Sequence, residues 1–575
     1  MKHALSPILP LLRPYRGTLL LSLLFSAAYA GLSIATPLFF GQAIDAIAGV
    51  GQVDFALLQS RLITAGALTG VTALGAYLAS RANARLVTGL TKDLRQDLFR
   101  HLQTLPIAYL DSHPYGDTLA RFTSDVDQFA DGLQLFLTQF FSGMLTILGT
   151  LGVLLALQPV VAAAVFVLTP LSLFVSRFIT KRTKKYFVQR TQKRGALTAA
   201  TEQTVRGLPA VQAYGREDAE NEAFRRLNDD LAASTLKAVF YSSITNPATR
   251  FVNSLVYAAV ALTGAFGVLG GSLSVGLLVT VLGYANQYAK PFNEISAVLA
   301  ELQNALTGAG RALELLQAPS EAPDPEQPVT HDAVRGAVAF SHVDFSYDKS
   351  RPLIRDLSLA AEPGQTVALV GTTGCGKTTL LNLLLRFYDP DGGQITLDGE
   401  NIAAMTRETL RQNVGLVLQE TWLKTGTVTE NLTFGRPDAT ADEVVAAAKR
   451  TRADAFIRRL PAGYDTVIGD GGGSLSEGQK QLLCITRVLL ADPNILILDE
   501  ATSNIDLATE IAVQKALREL TKGRTCFIVA HRLSTVMHAD VIAVMDRGRI
   551  VETGDHETLL AKNGAYKTLW DAMKA

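Results

Sequence analysis

A glycine-rich segment in the C-terminal half of the chain contains the residue types that bind phosphate groups. Residues 371–378 read GTTGCGKT and lie between the β-branched run 366–370 and a helical pattern that begins at Lys377. Between a strand and a helix, such a turn points backbone N–H groups and the helix N-terminus at anionic oxygens. Lys377 is placed to reach the β- and γ-phosphates, and Thr378 offers a hydroxyl to Mg²⁺. The other residues of the predicted phosphate site are Gly371, Thr372, Thr373, Gly374, Cys375, Gly376 and Thr379.

A second segment supplies the acids that phosphate chemistry needs. Residues 495–500 read ILILDE, an apolar strand that ends in two carboxylates. In an open α/β sheet, ligands bind at the carboxyl ends of the strands, so both acids are expected at the ligand edge. Asp499 is predicted to hold Mg²⁺, and Glu500 to orient or deprotonate the attacking water. Together the two segments predict hydrolysis of a nucleoside triphosphate.

A third segment, LSEGQ at 475–479, has no obvious use within its own subunit. Together with GTTGCGKT, ILILDE, Gln419, SNID at 503–506 and His531, it resembles the nucleotide-binding domain of the ATP-binding cassette (ABC) transporter family. The resemblance implies that two such domains dimerise head to tail. Each ATP would then lie between the phosphate loop of one chain and the LSEGQ signature of the other, where a helix N-terminus adds its positive end.

The same resemblance implies roles for further residues. Tyr347, in the stretch FSYD, would stack on adenine. Gln419 would sense Mg²⁺ and the attacking water, and His531 would contact the γ-phosphate. Three residues of the signature are implied to face the ATP of the partner chain: Ser476, Gly478 and Gln479.

The N-terminal half has the apolar segments of a membrane protein. Apolar runs, most of them near the length of a bilayer span, occupy 17–42, 56–84, 134–157, 160–180, 246–270 and 273–300. We therefore predict six transmembrane helices. Because the first 300 residues are so apolar, charged residues make up only 18% of the chain, below the roughly 25% of soluble domains.

The charges of the connecting loops predict the orientation in the membrane. The short connections at 43–55, 157–160 and 270–274 contain no Lys or Arg, whereas 81–133 and 181–245 contain many. By the positive-inside rule, the long loops and both termini are cytoplasmic, in a multi-pass protein of the cytoplasmic (inner) membrane. Large buried helices of a soluble protein would not show this asymmetry. The N-terminus lacks the layout of a cleavable signal peptide and reads as a short amphipathic elbow.

The predicted fold is an α-helical polytopic membrane domain of exporter type, followed by an α/β P-loop ABC nucleotide-binding domain. The domain boundaries are predicted at 1–317 and 336–575, and the Pro- and acid-rich residues between them, 318–335, are predicted to be a linker. The two cytoplasmic loops have helical patterns that continue the spans beyond the bilayer. In exporter-type members of the family, such loops end in short helices that dock on the nucleotide-binding domains. The expected tips here are 116–125 and 210–216.

The composition of the chain limits the cofactors and partners that it is expected to have. The formal net charge is +0, which gives no indication of nucleic-acid binding. Cys375, Cys484 and Cys526 all lie in the predicted cytoplasmic domain, without metal-site spacing, so we expect three reduced thiols and no disulfide. The expected cofactors are ATP and Mg²⁺.

Two residues depart from the family pattern. Glu477 stands where the signature usually has glycine, and a carboxylate in the first turn of that helix partly offsets the dipole that attracts anions. Such an altered signature occurs in asymmetric family members, which favours a heterodimer with a second half-transporter chain, although a homodimer is possible. Cys375 stands where the phosphate loop usually has Ser or Ala, and a thiol at a helix N-terminus beside Lys377 is expected to react readily with maleimides.

These observations predict ATP-driven export of an amphipathic or hydrophobic solute, such as a drug-like molecule, a lipid or a peptide, by alternating access. An alternative with the same fold is an importer of a carrier-bound metal. An ABC-type ATPase acting on DNA or ribosomes is excluded by six spans. Polar residues of the spans line a cavity or bond neighbouring helices: Ser33, Gln42, Asn253, Asn286, Gln287 and Asn293.

Overall fold

The computed structural model describes residues 9–47, 53–329, 333–418, 421–469, 472–473, 475–499, 507–530 and 536–574. The chain divides into two compact units. One unit contains the residues up to Thr104 together with His113–Pro319, and the other contains Leu105–Ser112 together with Ser320–Ala575.

The first unit is built of helices. Its α-helices are Leu9–Leu12, Arg16–Asp45, Phe55–Leu102, Tyr115–Phe122, Ser124–Leu135, Ser142–Leu157, Pro159–Arg206, Leu208–Ala213, Glu217–Leu269 and Val275–Gln317. A 3₁₀ turn at Arg13–Tyr15 precedes the first long helix, and a π-helical turn at Phe136–Phe141 joins two of the others.

Length and composition identify membrane-spanning candidates among these helices. Four stretches of the described chain are long and apolar enough to cross a bilayer: Pro10–Asp45, Phe55–Leu102, Tyr115–Leu157 and Glu217–Leu269. They contain the predicted spans at 17–42, 56–84 and 134–157, and all but the last residue of the predicted span at 246–270. The other two predicted spans lie on the helices Pro159–Arg206 and Val275–Gln317, so the total of six stays a prediction.

Glycine allows two of the long helices to touch. A Cβ atom at Gly276 would collide with the backbone oxygen of Gly41, and one at Gly41 would collide with Thr280. At the same place, the Asp45 carboxylate accepts hydrogen bonds from the Ser274 hydroxyl and from the backbone N–H of Gly276, both at 2.7 Å. The end of the helix Arg16–Asp45 therefore caps the start of the helix Val275–Gln317, where a carboxylate is favourable.

The second unit contains three sheets, and its strands are numbered here in chain order. They are β1 Val338–Phe345, β2 Ile354–Ala361, β3 Thr366–Gly371, β4 Gly392–Leu397, β5 Glu400–Asn401, β6 Val414–Val417, β7 Gly426–Thr427, β8 Val467–Ile468, β9 Ile495–Asp499, β10 Thr525–Val529, β11 Val541–Asp546 and β12 Arg549–Gly554. In the described residues the largest sheet has the order β12-β11-β3-β10-β9-β6. Its neighbours pair in parallel except for β12. A smaller antiparallel sheet has the order β2-β1-β4-β5, and β7 pairs with β8.

The α-helices of this unit cover the sheets and carry the site. They are Ile107–Ser112, Lys377–Leu384, Arg407–Gln412, Val428–Leu432, Ala441–Arg450, Asp454–Ile457, Glu477–Ala491, Leu507–Thr521, His556–Lys562 and Ala565–Lys574. One hydrophobic core lies between the two main sheets and includes the buried Leu380, Leu384 and Phe527. A second core joins the helix Glu477–Ala491 to its neighbours.

A short segment from the first predicted cytoplasmic loop belongs to the second unit. The helix Ile107–Ser112 carries Asp111, whose carboxylate accepts a hydrogen bond from the Tyr388 hydroxyl. This tip was predicted at 116–125, a few residues too late, because 116–125 belongs to the helical unit. The second expected tip falls on the helix Leu208–Ala213 and the turn after it, where Tyr214 is exposed.

Two acids of the predicted linker are fixed by arginines. The Arg407 guanidinium is buried, and it donates to the Ala322 carbonyl at 2.7 Å and to the Asp324 carboxylate at 2.8 Å. Arg411 donates to Glu321 at 3.3 Å. Further along, the backbone N–H of Val329 donates to the Ala404 carbonyl. The stretch from Glu321 to Val329 is thus bound along the surface of the second unit, which contains the predicted nucleotide-binding domain and is called the nucleotide-binding unit.

Candidate functional site

The glycine-rich loop lies between β3 and the helix Lys377–Leu384, as predicted. Gly374 and Gly376 have φ angles of +81° and +107°, in the left-handed region that favours glycine. At Gly371 any side chain would collide with the Met545 carbonyl of the neighbouring β11. Three positions therefore require glycine because of backbone conformation and close packing, and the loop can curve tightly in front of the helix N-terminus.

Lys377 is buried and directed into this loop. Its Nζ donates to the carbonyls of Gly371 at 2.8 Å and Thr372 at 3.1 Å. Cys375 Sγ lies 3.9 Å from the same Nζ, and only 3% of the residue is exposed. The sequence predicts ready alkylation of this thiol, but in the structure Cys375 is buried and the thiol is shielded from a reagent.

Tyr347 is brought beside the loop by a hydrogen bond. Its hydroxyl donates to Thr379 Oγ1 at 3.3 Å, and 53% of the residue is exposed. The rings of Phe345 and Tyr388 meet it edge to face, each with centroids 5.0 Å away. Burial, followed by the hydrogen bond to Asp111, raises the pKa of Tyr388, so this phenol stays neutral. An aromatic support thus holds Tyr347 with part of its ring open to a ligand.

Asp499 and the glycine-rich loop share one edge of the large sheet. β9, β10 and β3 are parallel, with Asp499 level with Val529 and Val529 level with Leu369. Asp499 ends β9, and Thr378 is exposed on the first turn of the helix after β3. A carboxylate and a hydroxyl are hard oxygen donors of the kind that Mg²⁺ prefers. The donor set therefore fits a magnesium ion.

The signature residues begin a helix with a reciprocal cap. The Ser476 hydroxyl accepts the backbone N–H of Gln479 at 3.3 Å, while Gln479 Oε1 accepts the backbone N–H of Ser476 at 3.0 Å. Ser476 is exposed and Gly478 is buried. The serine and glutamine of LSEGQ therefore shape the start of the helix Glu477–Ala491, which carries the positive end of the dipole.

Glu477 has partners that reasoning from the sequence missed. Its carboxylate accepts a hydrogen bond from the Thr421 hydroxyl at 2.7 Å and lies 3.4 Å from Lys480 Nζ. The Thr421 hydrogen bond, followed by Lys480, lowers the pKa of Glu477. The contact with Lys480 could have been predicted, because Lys480 follows Glu477 by three residues on the same helix. The contact with Thr421 could not, because Thr421 is distant in sequence. Because its charge is partly satisfied within its own chain, Glu477 opposes a bound phosphate less than the sequence suggests.

Arg487 fixes the same segment to the signature helix. Its guanidinium lies against both the Trp422 and the Phe434 ring, 5.7 Å and 5.5 Å from their centroids, and the two rings meet edge to face. It also donates to the carbonyls of Trp422 at 3.2 Å and Asn431 at 2.8 Å. The chain that follows Gln419 is therefore attached to the signature helix at two points.

Several predicted site residues lie outside the described residues. These are Gln419, Glu500 and His531, together with 503–506, and their roles stay predictions. Among the residues that the structure describes, no group of three or more His, Cys, Asp or Glu side chains is arranged to hold a metal ion. The three cysteines are free, and burial raises the pKa of Cys526 to about 12.

Comparison with known proteins decides the family. Residues 19–292 match the model of the ABC transporter transmembrane region, and residues 354–503 match the ABC transporter model. A fatty acid ABC transporter ATP-binding/permease protein of Mycobacterium bovis is 41% identical over 91% of this chain and 82% of its own length. The chain belongs to the ABC transporter family.

Two further comparisons identify the type of ABC transporter. An ATP-dependent lipid A-core flippase of Hahella chejuensis is 34% identical over 98% of this chain and 95% of its own. The structure of a bacterial Atm1-family ABC exporter with ATP bound has a TM-score of 0.76 and 29% identity, and the match covers 98% of this chain and 99% of that one. The chain is thus an exporter-type ABC half-transporter with a multi-pass membrane domain and a cytoplasmic domain that hydrolyses ATP to drive transport.

Proposed function

We propose that this half-transporter uses MgATP to export an amphipathic, lipid-like solute across the cytoplasmic membrane. The observation that carries the proposal is the arrangement at one edge of the large sheet. The glycine-rich loop with Lys377, the supported ring of Tyr347 and the carboxylate of Asp499 support binding of phosphates, adenine and a divalent cation, in that order.

Each residue of this edge has a proposed task. Lys377 leaves its loop carbonyls and contacts the β- and γ-phosphates, while loop N–H groups and the helix N-terminus bind the remaining oxygens. Thr378, Gln419 and Asp499 would hold Mg²⁺, which would neutralise charge that develops on the phosphate oxygens. Glu500 orients or deprotonates the attacking water, and His531 contacts the γ-phosphate.

The signature completes the site of a second chain. Ser476, the N–H groups of the first helical turn and Gly478 approach the γ-phosphate of the partner's ATP. ATP then closes the two nucleotide-binding domains, closure opens the membrane cavity outward, and hydrolysis resets the transporter.

The substrate class is supported by the relatives and by the membrane helices. One relative is named for fatty acids and another for lipid A-core. In the membrane unit, Gln287 donates to the Ser33 hydroxyl at 3.3 Å, and the Tyr284 hydroxyl donates to the Ile34 carbonyl. These polar groups bond neighbouring helices to each other, which favours a hydrophobic substrate. Import of a carrier-bound metal is not favoured, because the solved structure that this chain resembles is named an ABC exporter and one relative is named a lipid A-core flippase.

We also propose that the functional unit is a dimer with a different half-transporter chain. This proposal rests on Glu477 in the signature, and the Thr421 and Lys480 contacts weaken that argument. Purification of this chain expressed alone tests it. An isolated chain that is monomeric or has little ATPase activity supports the heterodimer. A stable dimer with strong, substrate-stimulated activity refutes it.

The substrate proposal is tested by ATPase activity in nanodiscs. Long-chain fatty acids and a lysophospholipid are compared with a cationic dye and a hydrophilic peptide, over a concentration range below micelle formation. The lipid-like compounds should stimulate hydrolysis at least twofold in the wild-type protein and not in Lys377→Ala. Stimulation by the peptide alone would contradict the proposed substrate class, while the loss of activity in Lys377→Ala would still support the proposed site.

A further inference from the structure

Two helices of the membrane unit pack side by side, and one of them carries a group of exposed basic residues. The helices Pro159–Arg206 and Glu217–Leu269 are in contact along their length, and the rings of Tyr186 and Tyr241 stack between them. The ring centroids are 5.1 Å apart and the planes are 7° from parallel. This stack fixes the level at which the two helices meet, just beyond the predicted end of a span at residue 180.

Charge on this helix pair is all of one sign near that level. The sequence has no Asp or Glu in 159–201 or in 231–269. The basic residues of these two ranges are Arg177, Lys181, Arg182, Lys184, Lys185, Arg190, Lys193, Arg194, Lys237 and Arg250. Lys193 is close to Asp230, at 3.7 Å, further along the helix. Nearer the membrane, the two helices offer no acid to balance their cations.

Four of these residues form a compact group that we call the basic face: Lys181, Arg182, Lys184 and Lys185. All four are exposed, and within the described part of the chain none of them makes a salt bridge. Long basic side chains at the end of a span extend along apolar surface and keep their charges in the headgroup layer. The Arg182 guanidinium lies 5.8 Å from the centre of the Phe178 ring, with its charge at the end of an aromatic surface.

The surroundings of the basic face are those of a lipid boundary. On the same helix, the residues toward the membrane centre include Phe166, Phe174 and Phe178, which are 57%, 70% and 60% exposed. On the neighbouring helix, Phe240 is 58% exposed, close to the Tyr186–Tyr241 stack. Along this surface an apolar part is followed by aromatic rings and then by unbalanced cations. This order matches the layers of a bilayer, in which acyl chains are followed by the interface and then by anionic headgroups.

We propose that the basic face binds the phosphate groups of anionic phospholipids in the cytoplasmic leaflet. Each Lys or Arg close to an anionic bilayer surface strengthens association by about fivefold. The transporter therefore selects anionic lipids over zwitterionic ones at this position. The contacts are exposed to solvent ions, so the selection weakens as ionic strength rises.

The test measures lipid selectivity of the full chain. The protein is reconstituted in phosphatidylcholine with a spin-labelled phosphatidylglycerol or a spin-labelled phosphatidylcholine, and the motionally restricted fraction gives the relative association constant of the two lipids. The test variant carries Lys181→Gln, Arg182→Gln, Lys184→Gln and Lys185→Gln. A control variant removes four exposed cations of the nucleotide-binding unit, by Arg355→Gln, Lys515→Gln, Arg518→Gln and Arg549→Gln.

We expect the wild-type and control proteins to prefer phosphatidylglycerol about fivefold or more at low salt. The preference should fall toward one in the test variant, and also in the wild-type protein at about 0.5 M salt, where the Debye length is only roughly 4 Å. Equal preference in the test and wild-type proteins would overturn the proposal. It would also be overturned if the test variant kept its lipid preference but lost its oligomeric state, because the basic face would then bind a second chain.

Discussion

Glu477 is held by two side chains whose positions the LSEGQ motif does not reveal. Thr421 donates to its carboxylate at 2.7 Å, and Lys480 lies 3.4 Å away. Because these contacts favour the ionised form, the pKa of Glu477 is lower in the folded protein than in the unfolded chain. A carboxyl group whose folded pKa is lowered stabilises the fold above its unfolded pKa, and this contribution is lost as the pH falls through the folded pKa.

A double-mutant cycle measures this interaction. We expect Thr421→Val and Glu477→Gln each to destabilise the protein at pH 7 by less than about 1 kcal/mol, because the Glu477 side chain is 48% exposed. The double variant should lose less stability than the sum of the losses in the two single variants. The coupling should shrink as the pH falls below about 4.3, the usual value for Glu. Thermal unfolding at several pH values checks this, and additive effects at pH 7 would show that the hydrogen bond contributes nothing.

At the scale of elements, the stretch from Glu321 to Val329 behaves as a bound strap. Arg407 is buried beneath it, and the side chain of its partner Asp324 is 34% exposed. We expect Arg407→Ala to destabilise the nucleotide-binding unit by about 2–3 kcal/mol, somewhat less than the loss of one partner from a fully buried pair. Hydrogen exchange should show faster exchange at residues 321–329.

The exposed pair of Arg436 and Glu443 provides a matched control for this prediction. Its side chains are 38% and 40% exposed, and Arg436→Ala should cost no more than about 1 kcal/mol. If the two arginine variants had equal effects, and exchange at 321–329 were unchanged in Arg407→Ala, the strap would not depend on its buried ion pair.

The contact between Gly41 and Gly276 makes a second prediction about elements. Gly276→Ala inserts a methyl group against the Gly41 carbonyl and the Asp45 carboxyl group, so the helices must separate. We expect a loss of about 1–3 kcal/mol, as for overpacked cores. Gly310 lies on the same helix, and a Cβ added there would meet nothing within 4 Å, so Gly310→Ala should be neutral or stabilising by up to about 1 kcal/mol. Thermal unfolding in nanodiscs compares the two, and equal melting temperatures would contradict the close approach.

Across the whole molecule, the sequence predicts features that depend on neighbouring residues and misses contacts between residues that are far apart in the chain. The strand at 366–370, the helix from Lys377 and the acid that ends the strand at Asp499 are confirmed, because each depends on a short pattern. The contacts of Tyr388 with Asp111 and of Arg407 with Asp324 join residues far apart in the chain. From composition alone, residues 318–335 are predicted to be a polar linker. The arginines that donate hydrogen bonds to its acids lie more than 80 residues further along the chain, so the local sequence does not reveal them.

The central claim for the molecule is that ATP hydrolysis at this site drives export. It is tested most directly in inside-out vesicles that contain the transporter and a fluorescent long-chain fatty acid, with wild-type protein and Glu500→Gln compared side by side. Glu500→Gln keeps the shape of the side chain and should still bind MgATP, while its hydrolysis falls by about 10²–10⁴-fold, as for the loss of a general base. We predict ATP-dependent accumulation of the fatty acid with the wild-type protein and none with Glu500→Gln. Accumulation by Glu500→Gln at a third of the wild-type rate, or movement by the wild-type protein that does not depend on ATP, would contradict the account.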